Sequence, residues 1–61
     1  MTKEEIINLL KLRNHSEDTF NHPAFELFVS YFKDKNYGSP MLLESAWHYF
    51  TLGWLYAKMS E

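Results

Sequence analysis

The sequence predicts an all-α domain of three helices. Three observations carry this: two strong helix-start signatures, apolar residues recurring at helical spacing through most of the chain, and β-branched residues that are few and never alternate with polar ones.

The first helix is predicted over residues 2–13. Thr2 is followed three residues later by Glu5, the capping-box spacing in which each side chain satisfies an otherwise unbonded N–H of the first turn. From there Ile6, Leu9, Leu10 and Arg13 share one face, with Ile7 and Leu12 on its flanks, and Asn14 and His15 weaken the pattern. Residues 15–22 are polar apart from Phe20 and end at Pro23, which suits a first helical turn because it lacks the N–H that would go unbonded there. Asn21 or His22 is the expected cap.

The second helix is predicted over residues 23–35. Phe25, Phe28, Val29 and Phe32 recur at i, i+3, i+4 and i+7, while Leu27 and Tyr31 form a second, narrower face. Its end falls in Asp34-Lys35-Asn36-Tyr37-Gly38, with Asn36 or Gly38 available for a left-handed cap. Ser39 as cap and Pro40 at the first helical position then open a third helix over residues 40–59. Connections this short predict a helical hairpin of the second and third helices with the first packed across it.

The third helix has too many apolar faces for this fold. At roughly 100° per residue, Leu43, Ala46, Trp47, Phe50, Trp54 and Ala57 gather in one stripe, the expected core face. Tyr49, Leu52, Tyr56 and Met59 cluster nearly opposite, with Leu42 and Leu55 at the borders, leaving Glu44, His48, Thr51 and Lys58 as a narrow polar strip. A helix apolar nearly all round is normally covered on all sides, and two short companions cover only one. The six residues Leu42, Tyr49, Leu52, Leu55, Tyr56 and Met59 are therefore the predicted interface, and a two-fold dimer is the simplest way to hide them. The competing reading lays the tyrosines on the surface with their hydroxyls in water. Gly53 costs about 1 kcal/mol against Ala in a helix interior and reads either as a close helix crossing or as a tolerated defect.

Size and composition narrow the function. A chain of 61 residues forms one domain that buries only about 60% of its unfolded surface. Without cysteine it has no disulfide or thiolate metal site to compensate, so self-association is the remedy left. The cysteine-free composition fits a reducing compartment, the acidic start gives no secretory signal, and no run reaches the roughly 18 apolar residues of a membrane span. The expected location is the cytoplasm, with no membrane partner. Six basic against eight acidic residues give a net charge of −2 with no basic stripe, so no nucleic-acid partner is expected. Eleven aromatics (five Phe, four Tyr, two Trp), all from Phe20 onward, suit cores and interface hot spots alike.

Chemistry is weakly signalled. His15, His22 and His48 have no spacing that puts two on one helical face, so no metal site is predicted; His22 reads as a helix-start residue and His48 as part of the solvated strip. Glu17 and Asp18 read as solvated loop carboxylates rather than an acid–base pair. There is no nucleophile triad or phosphate loop, so no catalytic residue and no cofactor is predicted. A helix-turn-helix built on Tyr37-Gly38-Ser39 would present Pro40-Met41-Leu42-Leu43-Glu44 to DNA, which offers no Arg, Lys, Asn or Gln to bases or phosphates.

Phe25, Phe28 and Phe32, then Ala46-Trp47, Phe50, Gly53-Trp54 and Ala57, make the second half of the chain resemble small accessory proteins encoded by bacteriophages. In those, an aromatic-rich helix, a polar turn and a helix of the A-W-x-x-[FW]-x-x-G-W type follow one another. The resemblance covers about the last 37 residues and implies a protein of the bacterial host cytoplasm that binds, inhibits or redirects a host or defence protein, with no catalytic residues to transfer. The combined expectation is a non-enzymatic, homodimeric protein-binding module. A small dimeric DNA-binding regulator is the alternative.

Overall fold

Thr2 and Glu5 form the capping box their spacing predicts. In a computed structural model that describes residues 1–60, the Glu5 N–H donates to Thr2 Oγ1 at 3.2 Å and the Thr2 N–H to Glu5 Oε1 at 3.0 Å. This pair opens α1 (Lys3–Lys11). The helix is shorter than the predicted 2–13 because Asn14 stops it. With φ of 67°, Asn14 is the one non-glycine residue with positive φ among those described. The His15 N–H returns to the Leu10 carbonyl at 3.2 Å and the Asn14 N–H to Lys11 at 3.0 Å, the paired bonds of a left-handed helix stop. Asparagine tolerates this conformation better than other side chains.

The chain has four helices among the described residues where three were predicted, and no strand. The polar connection is not all loop: Glu17 and Asp18 begin a one-turn helix, α2 (Glu17–Phe20). Two carboxylates at a helix N-terminus complement its dipole, and Phe20 holds the turn down by packing edge-on to Phe25, ring centroids 5.5 Å apart.

His22 and Pro23 do not open the next helix as expected: both lie in a turn ahead of it, and its N-cap is Ala24, with no side-chain cap bond. The Ala24 N–H donates to His22 Nδ1 at 3.0 Å, and the chain passes through a turn into α3 (Phe25–Phe32). The predicted 23–35 is thus trimmed at both ends. At the far end the expected left-handed cap at Asn36 or Gly38 does not form; neither has a positive φ. The Lys35 N–H instead bonds the Phe32 carbonyl at 3.0 Å, a tight terminal turn that satisfies the carbonyl without a left-handed residue. Ser39 then caps α4 (Pro40–Met59), its hydroxyl accepting from the Leu42 N–H with Pro40 in the first turn. The bounds of α4 are the predicted ones.

The core is aromatic and lies against the first half of α4. Ile6, Leu10, Ala24, Phe25, Phe28, Val29, Leu43 and Trp47 are buried. Phe28 sits at its centre, with ring centroids 4.6 Å from Phe32, 5.1 Å from Trp47 and 5.4 Å from Phe50. The backbones of α1 and α4 approach most closely, whereas α3 meets α4 through rings. Lys3 forms an exposed ion pair with Glu26 that links α1 to α3.

At 1.5 Å per residue the 20 residues of α4 measure about 30 Å, nearly the full 34 Å length of the molecule. The other helices reach only part of that span. Beyond Trp54 every described residue of α4 is exposed, Ala57 included, so Ala57 leaves the predicted core stripe. No helix among the described residues is long and apolar enough to cross a membrane.

Candidate functional site

The six residues predicted as an interface are all exposed: Leu42 59%, Tyr49 71%, Leu52 39%, Leu55 47%, Tyr56 69% and Met59 78%. Their position follows from helical geometry. Leu43 and Trp47 turn the core face of α4 inward, which points residues half a turn away outward. Leu52, Leu55, Tyr56 and Met59 line a shallow apolar depression of about 200 Å³ along the C-terminal half of the helix. Leu42 stands at the opposite end of α4, at a distance from this group set by the helix itself.

A second apolar groove, of about 320 Å³, runs between α3 and α4. Leu27 and Tyr31 line it from α3, and Tyr49, Phe50, Gly53, Trp54 and Ala57 from α4. The expected second face of α3 is therefore real: Leu27 and Tyr31 are exposed. A β-carbon placed on Gly53 would meet no atom within 4 Å. Gly53 is not a close crossing between helices of this chain.

Polar residues concentrate on one side of the fold, where Glu44 binds two partners. Arg13 Nε donates to Glu44 Oε1 at 3.0 Å, and His15 Nε2 lies 2.7 Å from Glu44 Oε2. His15 Nδ1 in turn lies 2.8 Å from Thr19 Oγ1. The His15 contact foremost, and the Arg13 contact after it, hold the Glu44 carboxyl below the usual carboxylate range. The sequence places Glu44 in a solvated strip and Arg13 on the apolar face of α1; the structure pairs them instead. Nothing in the chain signals this, since the partners stand 31 and 29 residues apart.

A polar hollow of about 420 Å³ adjoins this network, lined in part by His15, Glu44, His48 and Thr51. Of its two histidines, His15 is already joined to the Glu44 carboxylate. Thr19, the hydroxyl nearest His15, is not part of its lining. The network thus ties α2 and the connection before it to α4. No group of three or more His, Asp or Glu among the described residues stands close enough to hold a metal ion.

His22 fills a role the sequence half reveals. Besides accepting the Ala24 N–H in the turn ahead of α3, its ring packs edge-on against Trp47, at 5.4 Å, and Trp54, at 5.3 Å. Accepting the Ala24 N–H at Nδ1 puts the ring proton on Nε2. His48 is exposed, as its place in the polar strip implies, and its ring stacks edge-on to Tyr49 at 5.6 Å.

No protein-family model matches this chain, and no curated protein and no solved structure matches it.

Proposed function

We propose that the protein is a non-enzymatic, homodimeric protein-binding module that acts through the outer face of α4. The observation that carries this is the exposure of Tyr49, Leu52, Leu55, Tyr56 and Met59 on a helix whose described residues beyond Trp54 are all exposed. Large contiguous apolar surface on a small protein marks an interaction site, and tyrosine and methionine are enriched where proteins meet.

In this reading α3 and α4 form a helical hairpin with α1 packed across it. The ring contacts of Phe28 and Phe32 with Phe50 support the hairpin, and the close approach of α1 to α4 supports the crossing. The work the module performs is the one implied by its resemblance to phage accessory proteins: capture of a host or defence protein in the bacterial cytoplasm.

Replacing Tyr49→Glu together with Leu52→Glu places two charges on the outer face and touches no buried residue. The double variant keeps its helical circular dichroism at concentrations where the unaltered protein is monomeric, and loses self-association and partner capture. A variant that still associates as the parent does removes the outer face from the account. Duplex DNA supplies the second arm: the module has no measurable duplex affinity at physiological salt, whereas a DNA-binding regulator shows tight binding with a steep salt dependence.

A further inference from the structure

Leu42, Ser45, Tyr49, Leu52, Tyr56 and Met59 are spaced 3, 4, 3, 4 and 3 residues apart along α4. This is the a/d spacing of a helix that pairs lengthwise with another helix, each side chain entering a gap on the facing surface. The core residues Leu43, Trp47, Phe50 and Trp54 have the complementary 4, 3, 4 spacing. So α4 carries two seams, and the fold of its own chain occupies only one.

We infer that the outer seam pairs with the same seam of a second copy, antiparallel, in the register that sets Leu42 against Met59, Ser45 against Tyr56 and Tyr49 against Leu52 across a two-fold axis between Phe50 and Thr51. This rests on the self-association proposed above and adds its orientation and register. Side-chain size selects the orientation. Ser45 is the one small residue of the seam and Tyr56 one of its two largest. The antiparallel register fits each tyrosine against a smaller residue, and the two-fold axis repeats every contact. A parallel pair in register would instead set Tyr49 on Tyr49 and Tyr56 on Tyr56, with a gap where Ser45 faces Ser45. Antiparallel helices also oppose their dipoles favourably.

A second copy is the occupant that charge and area favour. The seam carries no charged residue: Glu44 is engaged with Arg13 and His15 on another side of the helix, and Lys58 lies over the Trp54 ring, 5.7 Å from its centroid. Self-pairing therefore sets no like charges against each other, and nothing on the seam calls for a charged partner. With about 200 Å² for a tyrosine side chain, the seam and its flanking Leu55 offer on the order of 600 Å² of exposed apolar surface per copy. That is the same order as the roughly 800 Å² per partner of a standard interface. Gly53, with open space where a β-carbon would stand, lies beside the seam and leaves the second helix room to approach.

The absence of native cysteine makes the register directly readable. Full-length Ser45→Cys and Tyr56→Cys are oxidised separately and as a mixture, then resolved on a non-reducing gel. The antiparallel register gives a disulfide-linked dimer in the mixture, at least ten-fold more abundant than in either variant alone. Leu42→Cys mixed with Met59→Cys repeats the test at the seam's ends, should loss of Tyr56 weaken association. Cross-linking of either single variant as efficient as that of the mixture means a parallel pair and overturns the inference, as does a protein that sediments as a dimer but cross-links in neither mixture. Both of those results leave the proposed self-association standing; a protein that sediments as a monomer removes it along with the register.

Discussion

Phe28→Ala tests whether the aromatic cluster holds the fold. Phe28 is fully buried and its ring stands within 6.3 Å, centroid to centroid, of Phe25, Phe32, Trp47 and Phe50. Removing it deletes contacts between α3 and α4 and leaves a cavity, and a buried Phe→Ala change costs about 3–5 kcal/mol. At about 0.05–0.15 kcal/mol per residue, a domain of 61 residues has a total stability of roughly 3–9 kcal/mol. The substitution therefore removes a third or more of the stability and can abolish folding. The control is Tyr56→Ala, on an exposed side chain, which changes the stability of the monomer by no more than about 0.5 kcal/mol. Urea unfolding followed by far-ultraviolet circular dichroism measures both, over a series of protein concentrations, because association adds stability that disappears on dilution. A cost below about 1 kcal/mol for Phe28→Ala, or an equal cost for the two variants in dilute solution, would refute the assignment of Phe28 to the core and Tyr56 to the surface.

Asn14→Ala places a β-branch-free but left-handed-averse residue at φ 67° and should cost about 1 kcal/mol or more, while Asn14→Gly should be close to neutral; equal melting temperatures for the two would show that the helix stop is not strained. Gly53→Ala meets open space and should gain up to about 1 kcal/mol of helix propensity in the dilute monomer, so a lower melting temperature there would contradict the open geometry. The carboxyls of Glu5, bonded to Thr2, and Glu44, bonded to His15 and Arg13, sit below the usual carboxylate range. Because their folded pKa values lie below the unfolded ones, their contribution is complete above the ordinary carboxylate pKa of about 4.3 and is lost as the pH falls through that value and below it. Glu44→Gln should flatten part of that acid slope in a pH series of unfolding curves, and an unchanged slope would show that its ion pairs contribute nothing.

Local signals were the legible part of the fold. Thr2 with Glu5 and Ser39 with Pro40 act within one turn of their helices, and both open helices in the structure, whereas His22 and Pro23 lie in a turn ahead of α3, whose N-cap is Ala24. Helix ends were harder to read because they depend on competition between turns. Asn14 forms a left-handed stop at the end of α1 that the sequence did not single out, whereas α3 closes through a tight turn with neither Asn36 nor Gly38 at positive φ. The one-turn helix at Glu17–Phe20 is too short to produce periodicity, and its Phe20 packs edge-on to the Phe25 ring at the start of α3.

The outer face of α4 was legible because a 20-residue helix repeats its pattern often enough to separate two stripes. The limit of the core stripe was not. Ala57 has the right angle around the helix but is exposed in the open groove beside Leu27 and Tyr31, and angle alone carries no information about how closely a neighbouring helix approaches. Nor does it reveal the Arg13–Glu44–His15 network, which exists only because the fold brings α4 beside the connection after α1.

In the proposed dimer the outer face of α4 is covered by the same face of a second copy. Sedimentation equilibrium of the pure protein at micromolar concentration measures this without labels or substitutions. The proposed dimer gives a mass near twice that of the 7.3 kDa chain, falling toward one chain on dilution and in the Tyr49→Glu, Leu52→Glu variant; a single-chain mass across the whole micromolar range would rule the dimer out.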